Sequence, residues 1–143
     1  MLKVVKFGGS SLADATQFKK VYNIIKADES RRFVVPSAPG KRNKEDTKVT
    51  DLLILAFSHR DEADFEEIFK TIRGRYQAII DELGLDYSLD EEFKTIHDAI
   101  KAGVGFDYVV SRGEYLNGLL LANYLGFDFI DAKDVICIDE SGN

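Results

Sequence analysis

Lys6-Phe7-Gly8-Gly9-Ser10-Ser11 places a full positive charge just ahead of two glycines. Glycines at such a point let the backbone approach a ligand closely and turn its N–H groups outward. A helix beginning just beyond would add the positive end of its dipole. With the Lys6 ammonium, this suits a phosphate that gains negative charge during transfer. The order differs from both Gly-x-x-x-x-Gly-Lys and Gly-x-Gly-x-x-Gly, because here the lysine comes first. Taken alone, a glycine turn beside a surface lysine explains it equally well. Two further clusters stand in the same position. Ser37-Ala38-Pro39-Gly40 and Val49-Thr50-Asp51-Leu52-Leu53 put small residues at a strand end beside a helix start, a lip that can admit a small polar substrate. Ordinary helix capping by Thr50 or Asp51 is the simpler account of the second. In Ser111-Arg112-Gly113-Glu114-Tyr115-Leu116 a carboxylate beside a glycine, near a helix start, can receive an ammonium group, or can be no more than a solvated helix charge.

The remaining titratable groups point away from catalysis. His59 and His97 lack companions at metal-ligand spacing. Glu66-Glu67 and Asp90-Glu91-Glu92 read as helix-face and helix-start charges, and Lys70, Arg73 and Arg75 as a solvated face. The one cysteine, Cys137, excludes an internal disulfide and a cysteine metal cluster, and belongs to a buried strand.

The elements that must position these clusters follow from hydrophobic spacing. Leu2–Phe7 is a strand running into the glycine turn. Asp14–Ala27, with Phe18, Val21, Tyr22 and Ile25 on one face, is an amphipathic helix. Arg32–Ser37 is a second strand, so the first segment is a βαβ unit. Gly40–Lys48 is polar and without period, which predicts a mobile loop. A helix follows through Leu52, Leu53 and Ala56. Phe65 to Leu83 forms one apolar stripe closed by Gly84. Ser88-Leu89-Asp90-Glu91 has capping-box spacing ahead of Phe93, Ile96 and Ile100. These two helices, about residues 61–103, make a helical hairpin outside the sheet. From Asp107 the chain passes Glu114 into a helix ending at Gly126. Phe127–Ile130 and Val135–Ile138 are strands around a turn at Asp131–Asp134, and Asp139–Asn143 reads as a hairpin turn. The predicted class is α/β, a mainly parallel sheet between helical layers.

Composition bounds the partners. A chain of 143 residues, 45% hydrophobic and 31% charged, suffices for a single packed domain. A net charge of −6 repels phosphate backbones, so nucleic acid is not an expected partner. No apolar run approaches the ~20 residues of a membrane span. The start runs straight into a strand pattern without a signal peptide, and a cytoplasmic location is expected.

Taken in order, Lys-Phe-Gly-Gly-Ser-Ser, Val-Val-Pro-Ser-Ala-Pro-Gly with Val-Thr-Asp-Leu-Leu, and Ser-Arg-Gly-Glu-Tyr-Leu resemble the N-terminal motifs of aspartokinases, within the amino acid kinase superfamily. Phe129-Ile130-Asp131-Ala132-Lys133-Asp134-Val135-Ile136 is similar to the segment that follows them. The resemblance implies an open-sheet α/β/α sandwich with the helical hairpin as an insertion. It also implies ATP-dependent phosphorylation of the L-aspartate side-chain carboxylate. Lys6 then approaches the transferring phosphoryl group, and Phe7, Gly8, Gly9 and Ser10 form the phosphate-facing loop. Thr50 and Glu114 hold aspartate, and Ser37 is the small residue at the second strand end. ATP and Mg²⁺ are implied as cofactors, the metal arriving with the nucleotide and not held by a dedicated site in this chain. The unpaired hairpin strand expected after Ile138 leaves a sheet edge that favours pairing with another copy, so a homo-oligomer is expected. The sequence departs from the family at Pro36 and Pro39, at Lys41–Lys48, which looks inserted, and at Asn117-Gly118, where Ser-Ala is frequent. The family continues with a glycine-rich nucleotide segment, a further catalytic acid and lysine, and regulatory ACT domains. Residues 1–143 are therefore read as the N-terminal part of a catalytic domain, inactive alone.

Overall fold

The β-branched run near the amino terminus becomes strand β1, Lys3–Phe7, which pairs in parallel with β2, Arg31–Pro36. The crossover between them is helix α1, Ala15–Lys26, started by Asp14, whose carboxylate accepts the Gln17 N–H at 3.0 Å. This is the N-cap geometry that satisfies an otherwise unpaired helix donor. The computed structural model describes residues 2–131 and 136–138. Helices α2 (Val49–Ser58), α3 (Phe65–Leu83), α4 (Asp90–Lys101) and α5 (Phe106–Leu125) follow, then β3 (Asp128–Ile130) and β4 (Ile136–Ile138). The turn expected after Asp131 and the hairpin turn at Asp139–Asn143 lie outside the described residues.

The sheet order is β1-β2-β4-β3. The parallel relation holds for β1 and β2, while β4 runs antiparallel to both β2 and β3. β4 is thus an interior strand. Val5, Phe7, Val34, Pro36, Phe129 and Cys137 share the face turned to the helices, with Val34 and Cys137 fully buried. α1 and α5 lie side by side on it, joined by Tyr22 and Tyr124, whose ring centroids are 5.2 Å apart, and by Lys26 Nζ donating to the Leu125 carbonyl at 3.1 Å. Val4 and Ile130 lie on the opposite face, 66% and 39% exposed. Gly84 and Gly126 end α3 and α5 with φ of 66° and 74°, a left-handed cap that a side chain disfavours.

The hairpin α3–α4 forms as the apolar stripe predicts, but its capping differs. Ser88 Oγ accepts the Asp90 N–H at 3.1 Å, a local turn, and no side chain caps α4. A cap contributes about 1 kcal/mol. Burying Leu89, Phe93, Ile96 and Ile100 contributes about 1.5–3 kcal/mol for each large side chain, so packing decides where α4 lies. α2 likewise starts at Val49 behind Lys48, without a side-chain cap. Thr50 and Asp51 therefore sit in its first turn, not at its cap as the residue types suggest.

Cys137 donates its thiol to the Gly118 carbonyl at 3.3 Å, and burial pushes its pKa up to about 12. A thiol this far from ionising lacks the reactive thiolate. Iodoacetamide at pH 8 is expected to leave it unlabelled in the folded protein and to label it in urea, read by mass spectrometry. Rapid labelling of the folded protein would refute the assignment.

Candidate active site

β1 and β2 are neighbours, so the loops after them meet. Gly8 leads from Phe7 into a 3-10 turn over Gly9–Leu12. Ser37 N donates to the Phe7 carbonyl at 3.0 Å, and Gly40 N to the Gly9 carbonyl at 2.8 Å, so the two loops run backbone against backbone. Neither glycine has room for a side chain. A Cβ on Gly9 would stand 3.0 Å from the Ala38 oxygen, and one on Gly40 would stand 2.6 Å from the Gly9 carbonyl carbon.

α5 closes the mouth from a third side. Its range corrects the placing of Ser111–Glu114 near a helix start: the helix begins at Phe106, so Glu114 lies mid-helix. Gly113 allows this approach, since a Cβ there would meet the Ala38 Cβ at 2.8 Å. The buried Tyr76 hydroxyl donates to the Gly113 carbonyl at 2.8 Å, and Asn117 Nδ2 donates to the Ser37 carbonyl at 2.7 Å. Burial pushes the Tyr76 hydroxyl far above its ordinary pKa, which keeps it a donor. Glu114 is exposed at the mouth.

Two adjoining cavities open there. One, of about 490 Å³, is lined by Gly9, Ser10, Ser37, Thr50 and Glu114, with Gly40, Lys41 and Lys48. The other, of about 540 Å³, is lined by Lys6, Phe7, Gly8, Ser37 and Glu114, with Val4, Val35 and Pro36. All eight candidate residues therefore line one cavity or the other, and Ser37 and Glu114 line both. Among the described residues lining them, Glu114 is the one carboxylate, against Lys6, Lys41 and Lys48. That polarity suits an anionic group on the lysine side and an ammonium near Glu114. A cavity of about 550 Å³ between α3 and α4 shares none of these residues; in it Arg73 lies 3.6 Å from Asp90 and His97 Nε2 lies 2.9 Å from Glu66. Among the described residues no group of three or more His, Cys, Asp or Glu is arranged to hold a metal.

One expectation is corrected around this mouth. Arg75 is not on a solvated face. It is buried, and donates to the carbonyls of Thr47 at 2.7 Å, Gly40 at 2.5 Å and Ala13 at 3.4 Å. Gly40–Lys48 is a loop, as its polar sequence predicts, and its side chains bond to one another and to its backbone. Asp46 accepts from Arg42 Nε at 2.7 Å and from the Arg42 N–H at 2.9 Å, and the Asn43 side chain accepts the Glu45 N–H at 3.0 Å. The Arg42 guanidinium, with help from backbone N–H groups and Arg75, holds the Asp46 carboxyl well below the usual carboxylate range despite its partial burial. Asn117 and Arg75 carried no chemical signature in the sequence. Their positions did: Asn117 falls beside Leu116 and Leu120, and Arg75 three residues after Ile72 and four before Ile79, both within buried stripes.

The chain belongs to the amino acid kinase family, whose model matches residues 1–142. Within that family its similarity is to aspartokinases. It is 38% identical to aspartokinase 3 of Bacillus subtilis (strain 168), covering 99% of this chain and 34% of that protein. It is 28% identical to an aspartokinase of Chlamydia pneumoniae, over 99% of this chain and 32% of the other. In structure it resembles the aspartate kinase of Clostridium acetobutylicum, with a TM-score of 0.86 and 49% identity over 90% of this chain and 30% of that one. E. coli aspartokinase III, solved in complex with aspartate and ADP, gives a TM-score of 0.71 at 26% identity, over 88% of this chain and 29% of that one. The chain thus spans about a third of the length of the curated relatives it matches. No described helix is long and apolar enough to cross a membrane.

Proposed function

We propose that residues 1–143 are the N-terminal part of an aspartokinase catalytic domain. The complete protein then phosphorylates the side-chain carboxylate of L-aspartate with ATP, giving 4-phospho-L-aspartate and ADP, the first step of lysine, threonine and methionine biosynthesis. The observation that carries this reading is the shared wall of the two cavities, where Glu114 and Ser37 stand between the side lined by Lys6, Phe7 and Gly8 and the side lined by Gly9, Ser10 and Thr50. The substrate brings its own carboxylate nucleophile, so no catalytic serine or cysteine is needed. One carboxylate oxygen forms a bond to the γ-phosphorus as the bond to the ADP oxygen breaks. The protein's part is positioning and charge stabilisation. Lys6 offsets negative charge on the transferring phosphoryl group, and the N–H groups of the Gly8–Ser10 turn face it. Thr50 and Glu114 hold aspartate, Glu114 pairing with its α-ammonium. Mg²⁺ supplies further charge neutralisation on the phosphates of ATP when bound. A cytoplasmic location and a homo-oligomer belong to the same proposal.

The test is ATP-dependent ADP release by the complete protein with aspartate, glutamate or N-acetylglutamate as acceptor, together with calorimetry of aspartate binding. Turnover with aspartate alone supports the reading, and preference for another acceptor defeats it. The 143-residue chain by itself is expected to give none, because in-line transfer needs groups beyond those at this mouth. Glu114→Gln preserves shape and removes charge. It is expected to raise the KM for aspartate by about tenfold or more, the worth of a charged hydrogen bond, with the KM for ATP nearly unchanged. Equal losses for both substrates would make Glu114 structural instead.

A further inference from the structure

Arg75 belongs to α3, in the helical hairpin, and its side chain is only 3% exposed. The three carbonyls it binds come from separate segments. Ala13 follows the turn after β1, Gly40 begins the loop after β2, and Thr47 ends that loop just before α2. Asp46 Oδ2 lies 3.5 Å from Nη1, which brings the inside of the loop to the same point. One planar fork thus spans both ends of the loop and the glycine turn facing it. A buried charge is costly, and replacing a whole buried ion pair with well-packed apolar residues is often neutral or stabilising, whereas removing one partner alone is strongly destabilising. The stripe of Ile72, Tyr76 and Ile79 around Arg75 would accept an apolar residue. Removing the guanidinium alone would take the donor away from Asp46 and from three carbonyls, so what the fork supplies here is the tie that fixes their spacing.

We propose that Arg75 is a positioning residue for the acceptor pocket: it sets the gap between the glycine turn and the Gly40–Lys48 loop, and so where Thr50 and Lys48 stand relative to Ser10 and Glu114. This rests on reading the mouth as the acceptor site. Arg75 touches no substrate. It acts through the backbone of Gly40 and Thr47, and a shift of about 1 Å in such a frame is enough to change turnover a hundredfold.

The test uses Arg75→Met, which keeps the bulk, and Arg75→Lys, which keeps the charge but not the fork. In the complete protein Arg75→Met is expected to raise the KM for aspartate about tenfold and Arg75→Lys less, with the KM for ATP within about twofold. A merely structural role would lower the amount of folded enzyme and leave both KM values alone. Trypsin should also cut after Lys41, Arg42 or Lys44 about tenfold faster in Arg75→Met, because the loop opens more often. Wild-type KM for aspartate overturns the proposal, even if cutting is faster, since the loop would then be pinned without shaping the pocket. Wild-type cutting rates overturn it as well. If Arg75→Met gives no cooperative melt, Arg75→Lys decides by the same two readouts. The trypsin arm needs no substrate. It therefore reads Arg75 even if the wild-type protein proves to prefer another acceptor, a result that would count against the proposed function alone.

Discussion

Lys6→Ala is expected to lower kcat of the complete protein by about 100- to 1,000-fold while leaving the KM for aspartate close to wild type. Removing one preorganised donor from a developing negative charge costs about 2.7–4 kcal/mol of transition-state stabilisation, and little of that is felt in the ground state. Lys6 is placed for this. It lies next to last on β1, is exposed, and lines the same cavity as Gly8 and Glu114. Val35, its partner across the parallel pair, shares that cavity, so the lysine stem stands on a paired strand and not on a loop. Such a footing limits the entropy lost on binding phosphate. Lys6→Arg should restore part of the rate through charge alone. Single-turnover kinetics would separate chemistry from product release. Near-normal turnover in Lys6→Ala would remove Lys6 from the mechanism.

Gly40→Ala is the second change expected to act strongly, here on the frame and not on the chemistry. Its new Cβ would lie 2.6 Å from the Gly9 carbonyl carbon and 2.8 Å from the Ser10 nitrogen. Both are backbone atoms, so no rotamer relieves the contact. The two loops must separate, and the 2.8 Å bond from Gly40 N to the Gly9 carbonyl stretches or breaks. Overpacking of this kind costs about 1–3 kcal/mol, which corresponds to a fall in Tm of about 3–10 °C. Gly74→Ala is the control. It lies in α3, exposed, with nothing within 4 Å of the added carbon. There alanine should stabilise by about 0.5–1 kcal/mol through helix propensity. Calorimetric melting of both variants checks the pair. A Gly40→Ala protein that melts with the wild type would show that the loops are not in the close contact described.

How far the sequence carried the fold is clearest at particular residues. The Phe18, Val21, Tyr22 and Ile25 spacing announced α1 because a stripe is a local signal. The long stripe from Phe65 to Leu83 announced α3 for the same reason. The start of α5 was hidden because Tyr108, Val109 and Val110 are residue types favoured in strands, and only packing against the sheet and α2 makes them helical. The caps proposed at Thr50 and Ser88 were outweighed by burial of their neighbours. The eight candidate residues stood out in the sequence because each lies in a short cluster with its own chemistry. Their convergence was not, since the contacts that produce it, Asn117 to Ser37 and Tyr76 to Gly113, join residues 80 and 37 positions apart. Arg75 was misread for a related reason. A charged residue beside Lys70 and Arg73 looks solvated until the carbonyls it binds, 28 to 62 positions away, are brought to it.

Those separations also have a meaning in time. The strands and crossover of residues 3–36 can pair as soon as they leave the ribosome, but the guanidinium that ties Ala13 to Gly40 arrives only with α3, and the amide that steadies Ser37 only with α5. Loop closure over such spans is the slow part of folding. The mouth should therefore acquire its shape late, after the helical hairpin has docked. Pulse-labelled hydrogen exchange would check this: the Gly40 amide, bonded to Gly9, should gain protection later than the amides of α3. Until then the glycine turn and its lysine are present in covalent form but face no partner, and a nascent chain halted before α3 carries those candidate residues without the mouth that gathers them.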